Sequence, residues 1–240
     1  MCIRDRSLAM SLNKPYVAVN HLEGHALTAR LTNNIKYPYL LLLVSGGHTQ
    51  IIAVLKYGQY VRLSSTLDDA AGETFDKAAK ILGIGFPGGP MIEKMAINGD
   101  HNKFDLPRPM YKSKNPNFSF SGLKTAAIYY LQGLPDDQPI SKKDFAASYQ
   151  EAIVDSLMSI FEKAVKETNV PTISGGGGVM ANSRLREKLM IFAENENKDL
   201  LLPSPKLSTD NAAMICIAAK NNLITNDLGL EDIRLSSIIS

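Results

Sequence analysis

Two histidines, His21 and His25, stand four residues apart in the segment Asn20-His21-Leu22-Glu23-Gly24-His25. On a helix that spacing turns the second side chain only about 40° from the first, so both imidazoles can face one metal ion. Unrelated surface or core histidines can share the spacing, but two of the chain's four histidines fall here. A third ligand is offered by Asp210: Thr209 can cap the last helix and place Asp210 in its first turn, ionised and available through oxygen. Taken alone it is a helix-start aspartate. If the fold brings it to His21 and His25, the result is a two-histidine, one-carboxylate set with open positions, suited to Fe(II) or Zn(II).

The same segment superficially resembles the HExxH motif of zinc proteases, but its acid is misplaced. Glu23 follows His21 by two residues, about 200° around the helix, where it cannot readily polarise a water on the same ion. Asn20 and Glu23 instead have the form of a capping box.

Three glycine-rich turns could approach a ligand through bare backbone. Ser45-Gly46-Gly47-His48-Thr49 follows an apolar strand, and its N–H groups suit an anion, although an ordinary hairpin turn reads the same way. Gly175 to Gly178 lies between a strand and a helix, and so costly a run points to close approach of a ligand. Asn182 comes just after it and either reads a nucleotide or caps the helix. Phe86 to Pro90 is the third turn, and together they fit a nucleotide cleft walled by loops.

Charge is concentrated in two places. Asp69, Glu73 and Asp76 share a helical stripe beside Asp68, so like charges crowd unless a cation or a sugar diol sits there; a helix start that welcomes acids accounts for Asp68 and Asp69 and less well for Asp76. Lys103, Arg108, Lys112, Lys114 and Lys124 gather around Tyr111, Phe118 and Phe120, the best RNA-facing candidate, with a solvated lysine-rich loop as the alternative.

The elements that must position these residues alternate. Ser7 to Leu12 reads as the last turns of an amphipathic helix, Tyr16 to Val19 as a short strand, and His21 to about Leu31 as a helix capped by Asn20. Tyr39 to Val44 is apolar throughout, which predicts a strand buried on both faces. Two further strands follow, to Lys56 and over Tyr60 to Ser64, then a helix to Leu82 closed by Gly83. Residues 98–117 read as a surface excursion. Ser141 and Asp144 cap a long helix whose Phe145, Tyr149, Ile153, Leu157, Phe161 and Val165 recur at helical spacing. Strands at Pro171 to Ser174 and Leu200 to Leu202, and helices from about Asn182 and Thr209, complete an α/β pattern without solenoid repeats.

Length and composition bound the rest. The 240 residues, 45% hydrophobic and 21% charged, suffice for one large or two small domains with a packed core. A net charge of +2 is too small to hold polyanions by bulk electrostatics, so RNA contact requires a local patch or a partner. Two cysteines without a CxxC fit a reducing, cytoplasmic setting, and no apolar run reaches the roughly 20 residues of a membrane span.

In order, NHLEGH, LLVSGGHTQ, DDAAGETFDKAAKILG, FPGGP, FSFSGLKT, SGGGGVMANSRLR and STDNAAM resemble the TsaD family, once labelled glycoproteases. The match runs from about Ser7 to Ala219, and seven ordered motifs are far more specific than any one. The resemblance implies an actin-like, two-lobed ASKHA fold. Residues 7–37 would be a remnant of the first lobe, 38–204 the second lobe, and 205–240 a return to the first. It implies that His21, His25 and Asp210 hold one divalent metal, Fe(II) ahead of Zn(II). Leu43, Val44, Ser45, Gly46, Gly47, Asp76, Gly89 and Asn182 would then bind threonylcarbamoyl-AMP, with Glu73 nearby.

The implied reaction is transfer of the threonylcarbamoyl group to N6 of adenosine 37 in tRNA, with TsaB-like and TsaE-like partners. The family opens with a strand and an ETSCDET-like loop that nothing here matches. The expectation is an incomplete fragment in which Met1 to Arg6 and the tail from Asp227 are not native. Carbamoyl transfer to another acceptor, a non-catalytic nucleotide-binding scaffold of a tRNA-modifying assembly and a metalloprotease are the rival readings, the last disfavoured by Glu23.

Overall fold

A computed structural model describes residues 3–111, 113, 115–132 and 141–225. Lys112, Lys114, Cys2 and the tail from Asp227 lie outside the described residues, as do the readings that depended on them. The element order is α1 (Ile3–Ser11), α2 (His21–Thr28), β1 (Tyr39–Val44), β2 (Thr49–Lys56), β3 (Gln59–Ser65), α3 (Ala71–Leu82) and α4 (Gly88–Ala96). Next come α5 (Ser121–Gln132), α6 (Lys142–Thr168), β4 (Thr172–Gly176), α7 (Ser183–Asn195), β5 (Asp199–Leu201), α8 (Pro205–Ser208) and α9 (Ala212–Thr225). Short 3-10 turns span Ala29–Leu31 and Gly178–Ala181.

The sheet order is β3-β2-β1-β4-β5. β1, β2 and β3 form an antiparallel meander, whereas β4 pairs parallel with both β1 and β5. The unbroken apolar sequence of β1 follows from its place. Leu40, Leu42 and Val44 pack into the larger core beneath α3, α4, α6 and α7, while Tyr39, Leu41 and Leu43 pack with Leu22 and Ala26 of α2 on the other face. Period-two alternation thus delivers six buried side chains to two separate cores, at about 25 cal/mol per Å² of apolar surface removed from water.

The α6 stripe is as expected: Phe145, Tyr149, Ile153, Leu157, Phe161 and Val165 are all buried, and Ser141 Oγ accepts the Asp144 N–H at the helix start. Gly83 ends α3 in the left-handed conformation at φ 65°. Residues 98–111 take no helix or strand, but the excursion is tied down by Leu106, which is buried in the larger core.

Three local readings are corrected. Tyr16 to Val19 forms no strand, because a strand requires a ladder partner and none of the sheet's edges reaches it. The first helix spans Ile3–Ser11, yet Leu8 and Met10, and Leu12 just beyond it, are exposed and form no buried stripe. Thr209 does not cap the last helix. It ends α8, and Asn211 Oδ1 accepts the Met214 N–H at 3.0 Å instead, leaving Asp210 in the connection ahead of α9. The two candidate caps lie two residues apart, and Asn211 offers the better cap side chain.

A buried ion network joins α6 to α7. Glu151 receives Arg184 at 2.8 Å and Lys188 at 2.6 Å, while Asp155 receives Arg108 at 2.6 Å and also pairs with Lys188. Burial by itself would raise the Glu151 pKa, but the two cations outweigh it and hold the carboxyl at about 2. The folded-state value is depressed, so the stabilisation is present above the ordinary carboxylate range and is lost as pH falls from about 4.5 towards 2. Glu151→Gln is expected to melt below the native protein at pH 7, by up to about 3 kcal/mol. That gap should close between pH 5 and pH 2; a gap independent of pH across this window would show that the network does not act through the Glu151 charge.

Candidate metal centre and ligand cleft

Asn20 Oδ1 accepts the N–H of Leu22 at 2.9 Å and of Glu23 at 3.4 Å, which starts α2 at His21. One turn later His25 falls on the same face, and the two rings meet edge to face with centroids 4.8 Å apart. Asp210 arrives from 185 residues further along the chain, and its Oδ1 lies 3.0 Å from His25 Nε2 and 3.4 Å from His21 Nε2. The positioning device is the packing of α2 on α9, closest at Gly24. A Cβ there would stand 3.3 Å from both the Met214 carbonyl oxygen and Ile215 Cδ1, so glycine lets α2 approach the start of α9.

The three candidate ligand atoms lie within 4.8 Å of one another. His25 is 1% exposed, and His21 is partly and Asp210 well exposed, so the cluster is closed on one side and open on the other. Burial is the main cause that lowers the His25 pKa, aided by His21 and opposed by Asp210. His25 is therefore held towards the neutral imidazole that a metal requires. Its Nδ1 is buried without a hydrogen-bond partner, so the ring's polar contact is directed wholly at Asp210. Two nitrogens and one carboxylate oxygen with an open side fit a divalent transition metal.

Glu23 occupies the opposite side of α2. The Tyr60 hydroxyl donates to its Oε1 at 2.7 Å, so Glu23 forms a tie to β3 and faces away from the histidine pair. The expected capping box is therefore half-formed: Asn20 caps Glu23, but the Glu23 side chain is engaged elsewhere.

The ligand turns converge on the end of β1. Ser45 N–H donates to the His48 carbonyl at 2.7 Å and Ser45 Oγ accepts the His48 N–H, which closes the turn and leaves Gly46 and Gly47 outermost. A Cβ on Gly46, Gly47 or Gly89 would meet nothing within 4 Å, so these three border open space. Leu43 and Val44 are fully buried, and they can reach a ligand only through backbone. Asp76 on α3 accepts the Gly88 N–H at 2.7 Å and thereby fixes the start of α4 beside Gly89.

The four-glycine run also answers to protein packing. Gly175 and Gly176 belong to β4, where a Cβ would stand 2.4 Å from Met180 Cε and 3.0 Å from the His25 carbonyl oxygen respectively. Gly177 has φ 89°, and its Cβ would lie 2.3 Å from the Val44 carbonyl oxygen. Protein packing therefore accounts for three of the four. It also draws β4, β1 and α2 together, so that the ligand turn and the histidines become neighbours.

Asn182 uses its amide within the protein. Oδ1 caps α7 by accepting the Leu185 N–H at 3.0 Å, and Nδ2 donates to Gln150 Oε1 at 2.8 Å. A cavity of about 690 Å³ adjoins it, lined by Pro90, Glu93, Lys94, Gln150, Ser183 and Arg184 among others. This hollow is not at the histidines but beside the residues that follow Gly89 and Asn182. Glu93 closes part of it by accepting the Ser183 N–H at 2.8 Å. Sequence reasoning overlooked Glu93 and Gln150, whose only signal is one helical turn of separation from Gly89 for the former.

Both charge clusters are reassigned. The cation among the acids is internal: Lys77 bonds Asp69 at 2.8 Å and Glu73 at 2.7 Å, and Lys124 bonds Asp69 at 3.0 Å. Asp68 accepts hydrogen bonds from Ser119, Ser121 and the Phe120 N–H, which staples the start of α5 to the segment before α3. Part of the RNA-facing patch is drawn inward: Phe118 and Phe120 are fully buried, Arg108 is bound to Asp155, and Lys124 is bound to Asp69, whereas Lys103 and Tyr111 are exposed and Lys112 and Lys114 lie outside the described residues.

Among the described residues no helix is long and apolar enough to cross a membrane. The fold is similar to full-length HypF in a phosphate- and nucleotide-bound form, with TM-score 0.69 at 13% identity over 93% of this chain and 46% of that one. It is also similar to the activator of 2-hydroxyisocaproyl-CoA dehydratase from Clostridium difficile with bound ADPNP, with TM-score 0.52 at 15% identity over 91% and 75%. These likenesses support the ASKHA-like α/β architecture. Closer in sequence are curated proteins named tRNA N6-adenosine threonylcarbamoyltransferase. The one from Methylocapsa acidiphila is 48% identical over 95% of this chain and 65% of its own length. That from Thermosipho africanus is 50% identical over 89% and 64%. The chain thus spans less than two thirds of the length of these relatives. The profile of the family described as TsaD, tRNA N6-adenosine threonylcarbamoyltransferase, matches residues 5–217, and the chain belongs to that family.

Proposed function

We propose that this chain carries the metal and nucleotide sites of a cytoplasmic enzyme that moves a threonylcarbamoyl group from threonylcarbamoyl-AMP to N6 of adenosine 37 in tRNAs reading codons that begin with A, releasing AMP. The observation that carries the reading is the convergence of His21, His25 and Asp210 beside the end of β1, from positions 185 residues apart. These three would hold one divalent ion, Fe(II) in preference to Zn(II). When bound, the metal supplies Lewis-acid polarisation of the acyl-phosphate and a template for it.

The chain's own residues supply alignment. The Gly46 and Gly47 N–H groups, on a turn with room in front of it, would receive the anionic end of the intermediate, with Leu43, Val44 and Ser45 contributing backbone. Asp76 and Gly89 would take the ribose and nucleotide, and Asn182, already tied to Gln150, would shape that end of the cleft. Attack of the adenosine amine on the carbamoyl carbon breaks the bond to AMP and needs no covalent enzyme intermediate, so positioning a reactive anhydride against an amine is the main task. TsaB-like and TsaE-like partners would assist, because a net charge of +2 gives little bulk electrostatic hold on tRNA.

The test is transfer of labelled threonine from threonylcarbamoyl-AMP to tRNA by the full-length protein with its partners. Chelation is expected to remove transfer and Fe(II) to restore it. Metal-independent transfer would overturn the metal assignment, and no transfer by a folded, metal-loaded protein would favour a nucleotide-binding scaffold.

A further inference from the structure

The hairpin formed by β2 and β3 lies, beyond Gln50, outside the motifs of the ligand cleft, yet it reaches both halves of the metal cluster. Tyr60, in β3, donates its hydroxyl to Glu23 Oε1 at 2.7 Å. The Tyr57 hydroxyl, in the hairpin turn, also bonds Glu23 and lies 3.4 Å from the Ala218 carbonyl oxygen on α9. Glu23 sits between the two histidines in sequence and on the far side of α2 from them. A third hydroxyl from the sheet, that of Tyr39, donates to the Ala26 carbonyl at 2.9 Å, so α2 is held along its back by phenols. The rotation of α2 about its own axis decides where His21 and His25 point. Apolar packing of Leu22 and Ala26 on the sheet is non-directional and defines that angle poorly, whereas a hydrogen bond at 2.7 Å defines it well.

We propose that Tyr60 and Tyr57 are positioning residues for the metal centre. By gripping Glu23 they set the rotation of α2, so that the imidazoles meet Asp210; the single Tyr57 proton is shared between Glu23 and, at 3.4 Å, the Ala218 carbonyl of α9. This rests on the metal reading above. Glu23 thereby has a role in its motif without any contact with the ion. Its acidity is incidental to that role, because only an oxygen acceptor is required.

The experiment is Co(II) titration of the full-length protein, followed by ligand-field absorption and dissociation constant, on native, Tyr60→Phe, Glu23→Gln and Glu23→Ala proteins, with melting temperature alongside. Tyr60→Phe and Glu23→Ala are expected to weaken Co(II) binding about tenfold or more and to shift the absorption band. Glu23→Gln keeps an oxygen for Tyr60 and should stay within about threefold of native. The double variant Tyr60→Phe with Glu23→Ala should lose no more than Glu23→Ala alone, because without Glu23 the Tyr60 hydroxyl has no bond left to lose. Unchanged Co(II) affinity and spectrum in Tyr60→Phe, whatever its melting temperature, overturns the clamp while leaving the metal site standing. A native protein that binds no Co(II) overturns the metal reading and the clamp with it.

Discussion

Asp210→Ala is expected to strip the protein of its metal and to lower threonylcarbamoyl transfer about a thousandfold, while the protein still folds. The Asp210 side chain is 75% exposed and sits in a connection between helices, so its removal leaves no cavity; the cost is that of the buried His25 imidazole losing its hydrogen-bond partner, about 1–3 kcal/mol. Its loss leaves two imidazoles, too few to retain a divalent ion against solvent. If Lewis-acid stabilisation contributes about 4 kcal/mol to the transition state, its loss is about a thousandfold in rate. His25→Ala should match the activity loss but would also leave a hole at a fully buried site, which makes Asp210 the cleaner probe. Metal content by elemental analysis and single-turnover transfer check the prediction, and a metal-replete Asp210→Ala protein with native transfer would sink the ligand assignment.

Gly177→Ala should be the most damaging of the glycine substitutions, destabilising the protein by about 3 kcal/mol or more. Two independent costs combine there. The backbone sits at φ 89°, which L side chains rarely adopt, and the new Cβ would stand 2.3 Å from the Val44 carbonyl oxygen. That oxygen belongs to the last residue of β1, so relief of the clash must move the Ser45–Gly47 turn as well. Thermal unfolding should show a fall of roughly 6–12 °C for a domain of this size. Gly46→Ala provides the contrast. Its Cβ meets nothing within 4 Å, so stability should hold within about 0.5 kcal/mol, but the methyl group would project into the space a ligand needs and transfer should fall. A Gly177→Ala protein that melts like the native one would mean that β1 and β4 can separate there at no cost.

Elements with strong local patterns were legible without coordinates. The unbroken apolar run of β1, the stripe along α6 and the Gly83 stop of α3 each depend on forces that act within a few residues, and each stands where its sequence indicates. The run from Gly175 to Gly178 was legible as unusual but not as to cause. Bare backbone signals close approach, and only the fold shows that Met180, His25 and Val44 are among what approaches. Two cations of the basic region were illegible for the complementary reason: Arg108 and Lys124 look free until Asp155 and Asp69, distant in sequence, are found beside them.

The amino-acid sequence by itself determined the family, the helix that presents His21 and His25 together, and the order of the glycine turns, because local spacing and motif order are properties of the chain. Only the tertiary structure decided that Asp210 meets those histidines, that Glu23 turns away to Tyr60, and that Asp69 and Glu73 are paired with Lys77, and Asp69 with Lys124 as well. Each of these depends on two segments that the sheet and its flanking helices bring into contact. Side-chain charge and hydrogen-bonding capacity are written residue by residue, but which partner satisfies them is set by packing across the whole core.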